Sequence, residues 1–163
     1  MASLSDPLVQ QLLNGRHIAS IATKSPDGSI HMVAVWYLFA DGHIYVATST
    51  RTRKARNLES DSEVSIMIDS RDPLASCGVN MTGSANIIRG EVSRQWNERI
   101  HGKYLSEGAL ADSCVGPVFA AWDDVTIEIT PRSVIAWDMR EADKQAFGSA
   151  FARNPGYLLP LDR

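Results

Sequence analysis

The most informative segment of this chain is Thr48-Ser49-Thr50-Arg51-Thr52-Arg53-Lys54-Ala55-Arg56-Asn57-Leu58. It follows a strand-like run at 43–47 and predicts the start of a helix, with Thr50 or Thr52 as the N-cap. A helix N-terminus carries partial positive charge, so cations are unfavourable there unless an anion compensates them. Four cations stand in or beside this first turn, in a chain whose net charge is −3. The segment therefore favours a bound phosphate over a solvated basic face.

Runs of apolar residues on both sides of this segment predict strands. An Asp-Gly pair at 41–42 predicts a hairpin turn between two of them, and Gly83 predicts a bulge within another. Pro131 is expected to interrupt the last run. The predicted strands span 17–23, 30–39, 44–48, 64–69, 79–89, 125–130 and 134–137.

Two further helices are expected outside the segment. The first begins at Pro7 behind an Asp6 cap and ends at Gly15. The second carries an apolar residue at every fourth position, and these residues are Val92, Trp96, Ile100 and Tyr104. Residues 106–121 are predicted to form a loop, and residues 138–163 a helix followed by an extended arm.

This order of elements predicts a mainly β protein with peripheral helices, built as an antiparallel barrel. A doubly wound parallel sheet needs a helix after nearly every strand, and the predicted helices are too few for that. The length of 163 residues favours a single domain over residues 1–163. Neither a dinucleotide-binding GxGxxG motif after a strand nor a P-loop is found.

The composition argues against several functional classes. The sequence pI of about 5.8 argues against general nucleic-acid binding, which needs a basic face. No apolar run approaches the ~20 residues of a membrane span. The first residues lack the basic start and apolar core of a signal peptide, so a cytoplasmic location is expected. Cys77 and Cys114 show no metal-binding spacing, so no metal site is expected.

No pattern of catalytic side chains stands out in the sequence. Asp123 and Asp124 stand at a strand start, which favours a role in the turn over acid–base catalysis. Trp36 and Tyr37 are neighbours on an extended segment, so at most one of them can face a cofactor. The other tryptophans are interpreted as packing residues, and these are Trp96, Trp122 and Trp137.

Several pieces of the sequence, taken in order, resemble one known family. The strand Met32-Val33-Ala34-Val35-Trp36 is followed by the Asp-Gly turn, a strand ending in Thr48, then Thr52-Arg53-Lys54 and Asn57-Leu58. This arrangement resembles the pyridoxamine-5′-phosphate-oxidase-like family, whose fold is a flavin-binding split β-barrel of antiparallel Greek-key type. The resemblance covers about residues 5–140 and leaves residues 141–163 as a C-terminal tail.

The resemblance implies an FMN cofactor bound at the interface of a homodimer. The phosphate group would be held by Thr48, Ser49, Thr52, Arg53 and Lys54. The isoalloxazine ring would lie along the strand formed by Met32, Val33, Ala34, Val35 and Trp36. The flavin carries the hydride chemistry itself, so the protein supplies position and electrostatics, and no catalytic side chain is required.

The chain departs from true pyridoxamine phosphate oxidases at two strands. Those enzymes have an Arg and a Lys where His31 and Trp36 stand, and an Arg-rich strand with a Gln where residues 77–83 stand. The resemblance therefore implies an oxidoreductase for a small conjugated substrate other than pyridoxamine phosphate. The Val35-Trp36-Tyr37 sequence is similar to a branch that uses FMN or the deazaflavin coenzyme F-420, which is the alternative cofactor. The competing hypothesis is a non-catalytic protein that binds flavin or haem. No nucleic-acid or membrane partner is expected.

Overall fold

The computed structural model describes residues 2–72 and 76–160 of the protein. The described residues form one antiparallel sheet of seven strands in the order β2-β1-β5-β6-β7-β4-β3. This confirms the prediction of a mainly β protein with peripheral helices. The strands are β1 (Ala19–Lys24), β2 (Ile30–Val35), β3 (Leu38–Ala40), β4 (His43–Thr48), β5 (Glu63–Asp69), β6 (Cys77–Arg89) and β7 (Val125–Asp138).

The helices lie between and after the strands. The basic segment at 48–58 contains the start of α2, and the longest helix, α3, connects β6 to the region before β7. The helices are α1 (Pro7–Asn14), α2 (Arg53–Ser60), α3 (Gly90–Tyr104), α4 (Glu107–Ala111), α5 (Gly116–Trp122), α6 (Met139–Phe147) and α7 (Ala150–Arg153), with a 3-10 turn at Pro155–Tyr157.

The sheet is curled into a barrel that stays open along one seam. β2 and β3 form opposite edges of the sheet, yet only Trp36 and Tyr37 stand between them in the chain. Three Cα–Cα steps join Val35 to Leu38, so the two edges cannot be more than about 11 Å apart there. The predicted single strand at 30–39 is therefore two strands, and the break between them marks the split in the barrel.

The core fills the inside of this curled sheet. Inward side chains from neighbouring strands meet there, and α1 covers one end with Val9, Leu12 and Leu13, all 1% exposed or less. The Tyr37 hydroxyl donates to the Leu12 carbonyl at 2.5 Å, which ties α1 to the seam. The fully buried strand residues include Ile21, Ile44, Val46, Ile66, Ile68, Val79, Met81, Ile127 and Ile129.

The longest strand pair, β6 with β7, contains the predicted bulge at Gly83. Thr82 pairs with Ser133 and Gly83 pairs with Pro131, so Arg132 is the extra residue on β7. A Cβ atom on Gly83 would overlap the Thr130 carbonyl, which explains why glycine stands there. The prediction that Pro131 interrupts the strand is wrong, because the bulge accommodates a residue that has no N–H to donate.

Three helix predictions also need correction. Residues 106–121 are not a loop but hold α4 and α5, and the Ser106 hydroxyl caps α4 by accepting from the Ala109 N–H at 3.2 Å. The tail begins with a helix as predicted, but α7 and the 3-10 turn follow it, so an extended arm can begin only after Tyr157, and residues 161–163 of that prediction lie outside the described residues. Asp6 occupies the N-cap position of α1, but its carboxylate accepts from the Ser3 N–H and makes no capping bond to the helix.

Candidate functional site

The segment between β4 and α2 is an ordered loop built around Thr52. The Thr52 hydroxyl accepts from the Ala55 N–H at 3.4 Å, which identifies Thr52 rather than Thr50 as the N-cap of α2. The same hydroxyl donates to the Ser49 carbonyl at 2.8 Å and lies 3.1 Å from the hydroxyl of Thr48. Thr48 is 2% exposed. Three of the predicted phosphate-binding residues are thus brought together, in one compact hydrogen-bonded turn.

The start of α2 also presents unpaired backbone donors. Among the described residues, the N–H groups of Arg53 and Lys54 have no hydrogen-bond acceptor. Helix starts leave such donors free for a ligand or water, and the helix dipole favours an anion beside them. A cavity of about 450 Å³ borders this turn. It is lined by Ala47, Thr48, Ser49, Arg51, Thr52, Lys54, Ala121, Trp122, Asp123 and Asp124. We call it the Lys54 cavity.

Lys54 is the cation that lies deepest in this cavity. Its side chain is about half-buried, and burial lowers the pKa of its ammonium group. The nearby Asp123 carboxylate acts in the opposite direction and raises it. A half-buried ammonium is a stronger anion ligand than an exposed one, because solvent screens it less.

Arg53 points to the other side of α2, away from the Lys54 cavity. Its guanidinium donates to the hydroxyl of Ser25 at 3.2 Å and to the hydroxyl of Ser29 at 3.1 Å. Consecutive residues on a helix point about 100° apart, and here this angle directs the two neighbouring cations into different cavities. Arg53 instead borders a separate cavity of about 460 Å³ with Ser25, Pro26, Asp27, Arg56, Asn57 and Ser60.

Two carboxylates close the Lys54 cavity from the side of β7. Asp124 accepts from the Thr50 N–H and from the Thr50 hydroxyl, both at 2.7 Å. Burial alone would raise the pKa of Asp124, but these hydrogen bonds prevail and lower it. The geometry agrees with the expected turn role, because Asp124 fixes the loop that carries the hydroxyl residues.

A row of polar side chains on α3 holds the other carboxylate, Asp123. The Nε2–H of His101 donates to the Asp123 carboxylate at 2.8 Å, and Asn97 donates to the Asp123 carbonyl at 2.9 Å. One turn earlier, Ser93 and Asn97 both bond to the Thr126 hydroxyl, at 2.9 and 2.7 Å. All of these polar groups on α3 are buried.

Sequence reasoning missed this row. It placed the inner face of α3 on Val92, but Val92 is 53% exposed, and the buried positions are Ser93, Asn97, Ile100 and His101. The spacing of Ser93, Asn97 and His101 is four residues, which places them on one helix face. That spacing is a signal in the sequence, but a pattern based on apolar residues alone does not contain it, because these residues are polar.

The strand predicted to face the cofactor ring, β2, is an edge strand. Its outward side chains include Met32, which is 68% exposed, and Ala34, whereas Val33 and Val35 face the barrel. Because β2 pairs only with β1 in the described sheet, the backbone of its other side has no strand partner. Backbone groups at such an edge are available to a ligand.

Trp36 follows β2 at the seam and packs in an aromatic stack. Its ring lies 4.9 Å from that of Tyr104 and 5.4 Å from that of Phe119. Tyr37 is fully buried, so the two neighbours do point to different environments. A cavity of about 290 Å³ lies beside Trp36 and is lined by Ile18, Ala34, Val35, Trp36 and Phe119.

Helix α5 borders both cavities. Phe119 lines the cavity beside Trp36, Trp122 lines the Lys54 cavity, and their rings are 6.1 Å apart. Trp122 is 65% exposed, so its interpretation as a packing residue is wrong. The structure thus groups Thr48, Ser49, Thr52 and Lys54 on one side of α5 and Ala34, Val35 and Trp36 on the other.

Residues 2–72 and 76–160 contain neither a metal-binding cluster nor a helix that could span a membrane. No group of three or more His, Cys, Asp or Glu side chains there is arranged to hold a metal ion. No helix in that part of the chain is both long and apolar enough to cross a membrane.

The family can be assigned from the sequence as a whole. The family model described as pyridoxamine 5′-phosphate oxidase matches residues 5–141, most of the chain. The chain belongs to the pyridoxamine 5′-phosphate oxidase family. This confirms the resemblance carried by the β2 strand, the Asp-Gly turn and the start of α2. A search of curated proteins gave no match.

Solved structures from the same fold support this membership. The conserved hypothetical protein Rv2991 from Mycobacterium tuberculosis shares 28% identity and a TM-score of 0.71, over 86% of this chain and 88% of that one. An F-420 reductase shares 21% identity and a TM-score of 0.60, over 77% and 94%. A putative pyridoxamine 5′-phosphate oxidase from Listeria innocua shares 16% identity and a TM-score of 0.59, over 78% and 94%. The last two, at this identity, show a shared fold.

Proposed function

We propose that this family member is an FMN-binding oxidoreductase acting on a small conjugated substrate. The observation that carries the proposal is the start of α2. There, unpaired backbone N–H groups, the hydroxyls of Thr48 and Thr52 and the half-buried Lys54 converge on one cavity. This combination of donors fits a phosphate monoester.

The residues have separate tasks in this proposal. Lys54 and the start of α2 bind the cofactor phosphate, and Asp124 keeps the loop in place through Thr50. The edge of β2 and the Trp36 stack shape the space for the ring and keep water from one side of it. FMN, when bound, supplies the hydride chemistry, so none of these side chains needs to transfer a proton.

The deazaflavin coenzyme F-420 is the alternative cofactor. The similarity to an F-420 reductase supports it at the level of the shared fold. A non-catalytic flavin- or haem-binding role is the second alternative, and turnover separates it from an enzyme. His31 and Trp36 stand where true pyridoxamine phosphate oxidases have an Arg and a Lys, so we do not propose pyridoxamine phosphate as the substrate.

We also propose that the protein is a homodimer that closes the ring site. The outer face of the sheet exposes several large apolar side chains, because Ile30 and Met32 are each 68% exposed and Ile135 is 57% exposed. The registers place small and uncharged side chains between them, in rows that run across β1, β5 and β6. Exposed apolar patches of this kind mark protein interfaces.

The test is a titration of FMN, riboflavin and F-420 into the purified protein, followed by absorption and fluorescence. A charge-assisted hydrogen bond contributes roughly 1.5–3 kcal/mol. Lys54→Ala should therefore weaken FMN binding about 10- to 100-fold, since ~1.4 kcal/mol is tenfold. Riboflavin, which has no phosphate, should lose much less. Lys24→Ala, at an exposed lysine on β1, is the matched control.

Arg53→Ala should have a smaller effect than Lys54→Ala, because its guanidinium is bonded to Ser25 and Ser29 in the other cavity. Failure of the wild type to bind FMN or F-420 would overturn the proposal. Equal losses for FMN and riboflavin in Lys54→Ala would show that the phosphate lies elsewhere.

A further inference from the structure

The Lys54 cavity has no surplus of positive charge. Two cations line it, Arg51 and Lys54, and two carboxylates line it as well, Asp123 and Asp124. An anion that enters this cavity therefore meets a balanced set of charges. Asp124 is held by two hydrogen bonds from Thr50 and stays ionised. The charge of Asp123, in contrast, can be compensated from outside the cavity, because an imidazole contacts its carboxylate there.

That imidazole is His101, which reaches Asp123 from behind the cavity. Its Nε2 lies 2.8 Å from the Asp123 carboxylate, and its side chain is 6% exposed. An imidazole bonded to a carboxylate in this way can hold a second proton, which turns the hydrogen bond between a neutral imidazole and a carboxylate into an ion pair with no net charge. The change adds one positive charge directly behind the carboxylate that faces Lys54.

We propose that anion binding in the Lys54 cavity is coupled to protonation of His101, with Asp123 carrying the coupling between them. The inference rests on the proposed function in one respect, the identity of the cavity as an anion site. Protonated His101 compensates Asp123, which leaves Lys54 and Arg51 available to the anion. By reciprocity, a bound anion must favour the protonated imidazole to the same extent.

The surroundings of His101 permit this coupling. Arg94 and Glu98 on α3 line a small cavity of about 60 Å³ with His101 and Asp123. A cavity of that size can hold a water molecule, which gives the imidazole a route for proton exchange. Arg94 is paired with Glu91. From α5 the imidazole meets the ring of Phe119, which carries no charge. Asp123 is the charged group that is hydrogen-bonded to His101, the Glu98 carboxylate lines the same cavity, and Lys54 lies beyond Asp123.

The experiment follows the histidine ring protons by NMR between pH 5 and 8.5, in sodium sulfate and in sodium chloride of equal ionic strength. Sulfate keeps its full charge over this range, so the probe itself does not titrate. His101→Gln assigns the signal. The midpoint of the His101 titration should move to higher pH by about 0.5–1 unit in sulfate, which corresponds to a three- to tenfold coupling, near the lower end for linked sites. His17, His31 and His43 should not move and serve as internal controls.

Two variants separate the coupling from a general effect of sulfate. Lys54→Met should abolish the sulfate-dependent shift of the His101 signal. Asp123→Asn should weaken it, because it removes the carboxylate that holds the proton on His101 beside the cavity. A His101 midpoint that is unchanged by sulfate in the wild type would overturn the proposal, and so would a shift that survives in Lys54→Met.

The outcome is distinguishable from failure of the proposed function. If FMN and F-420 do not bind but the sulfate shift is present, the cavity is a proton-coupled anion site that serves another ligand. If FMN binds and Lys54→Ala weakens it, but His101 does not respond to sulfate, only the coupling is wrong.

Discussion

Asp124 holds Thr50 by both its backbone N–H and its hydroxyl, at 2.7 Å each, across the mouth of the Lys54 cavity. This contact ties the loop before α2 to the start of β7, which are 74 residues apart in the chain. The position of Thr48, Ser49 and Thr52 therefore depends on a carboxylate that is remote in sequence.

Asp124→Ala should lower the free energy of unfolding at pH 7 by about 1–2 kcal/mol, since each net hydrogen bond is worth roughly 0.5–1.5 kcal/mol. The pKa of Asp124 is lowered in the folded protein. Its contribution is thus present above the unfolded value near 3.9 and disappears as the pH falls through the lowered folded value. Urea denaturation of both proteins at pH 7 and pH 3 checks this. A difference that stays constant between these pH values would contradict it.

Gly83 and Gly102 make a matched pair for testing the bulge. A Cβ on Gly83 would overlap backbone atoms of Thr130, whereas a Cβ on Gly102 meets nothing within 4 Å. Gly83→Ala should destabilise the protein by about 1–3 kcal/mol, as overpacking against backbone does. Gly102→Ala lies within α3 and should stabilise it by up to about 1 kcal/mol. Thermal melts of the two variants decide the matter, and a neutral Gly83→Ala would disprove our account of the bulge.

Lys103 should make the free energy of unfolding depend on pH in the alkaline range. Its ammonium lies 3.9 Å from the Tyr37 ring centre, and burial lowers its pKa to about 8, with a further effect from Arg16. The unfolded lysine titrates near 10.4, so the unfolded chain binds more protons between pH 8 and about 10. Stability from this group must therefore rise with pH through that window. Lys103→Met should remove the rise, and denaturant titrations at pH 7.5, 8.5 and 9.5 measure it. Parallel curves for both proteins would show that Lys103 titrates normally.

The proposed dimer can be tested on the outer face of the sheet. Met32→Glu should dissociate the dimer, because it places a charge in an apolar interface that cannot compensate it. Val92→Glu is the control, since Val92 is 53% exposed on α3, away from the sheet face. Light scattering at micromolar concentration, with FMN present, distinguishes the two. A wild type that is monomeric under these conditions would rule out the dimer.

The sequence predicted much of the fold because the signals were local. Alternating strands, the Asp-Gly hairpin and the glycine at the bulge each depend on residues close together in the chain. The Thr52 cap is also a local signal, since the Thr52 side chain bonds to a backbone N–H three residues later. The family resemblance rested on this region too, where backbone geometry restricts the choice of residue.

The remaining features depend on contacts that local patterns do not contain. Pro131 fits within β7 only because Gly83 lies opposite it on another strand. α4 and α5 are five and seven residues long, too short for a periodic pattern to appear. Whether Arg53 and Lys54 share a wall depends on the angular position of each residue on α2. A cluster of charges in the sequence does not reveal that angle.

The two-residue link between β2 and β3 also constrains the order in which the chain can fold. It joins strands at opposite edges of the sheet, so it can reach its final position only after the five strands between them are assembled. That assembly is slow, because pairs such as β1 with β5 and β4 with β7 join distant parts of the chain, and the entropy of the intervening residues is lost before the contacts form. We expect the link to be unformed in the folding transition state.

Tyr37→Phe, which removes the bond to Leu12, should accelerate unfolding and leave the folding rate nearly unchanged, whereas Ile127→Val in β7 should slow folding. Stopped-flow measurements over a range of urea concentrations would show which rate each variant alters.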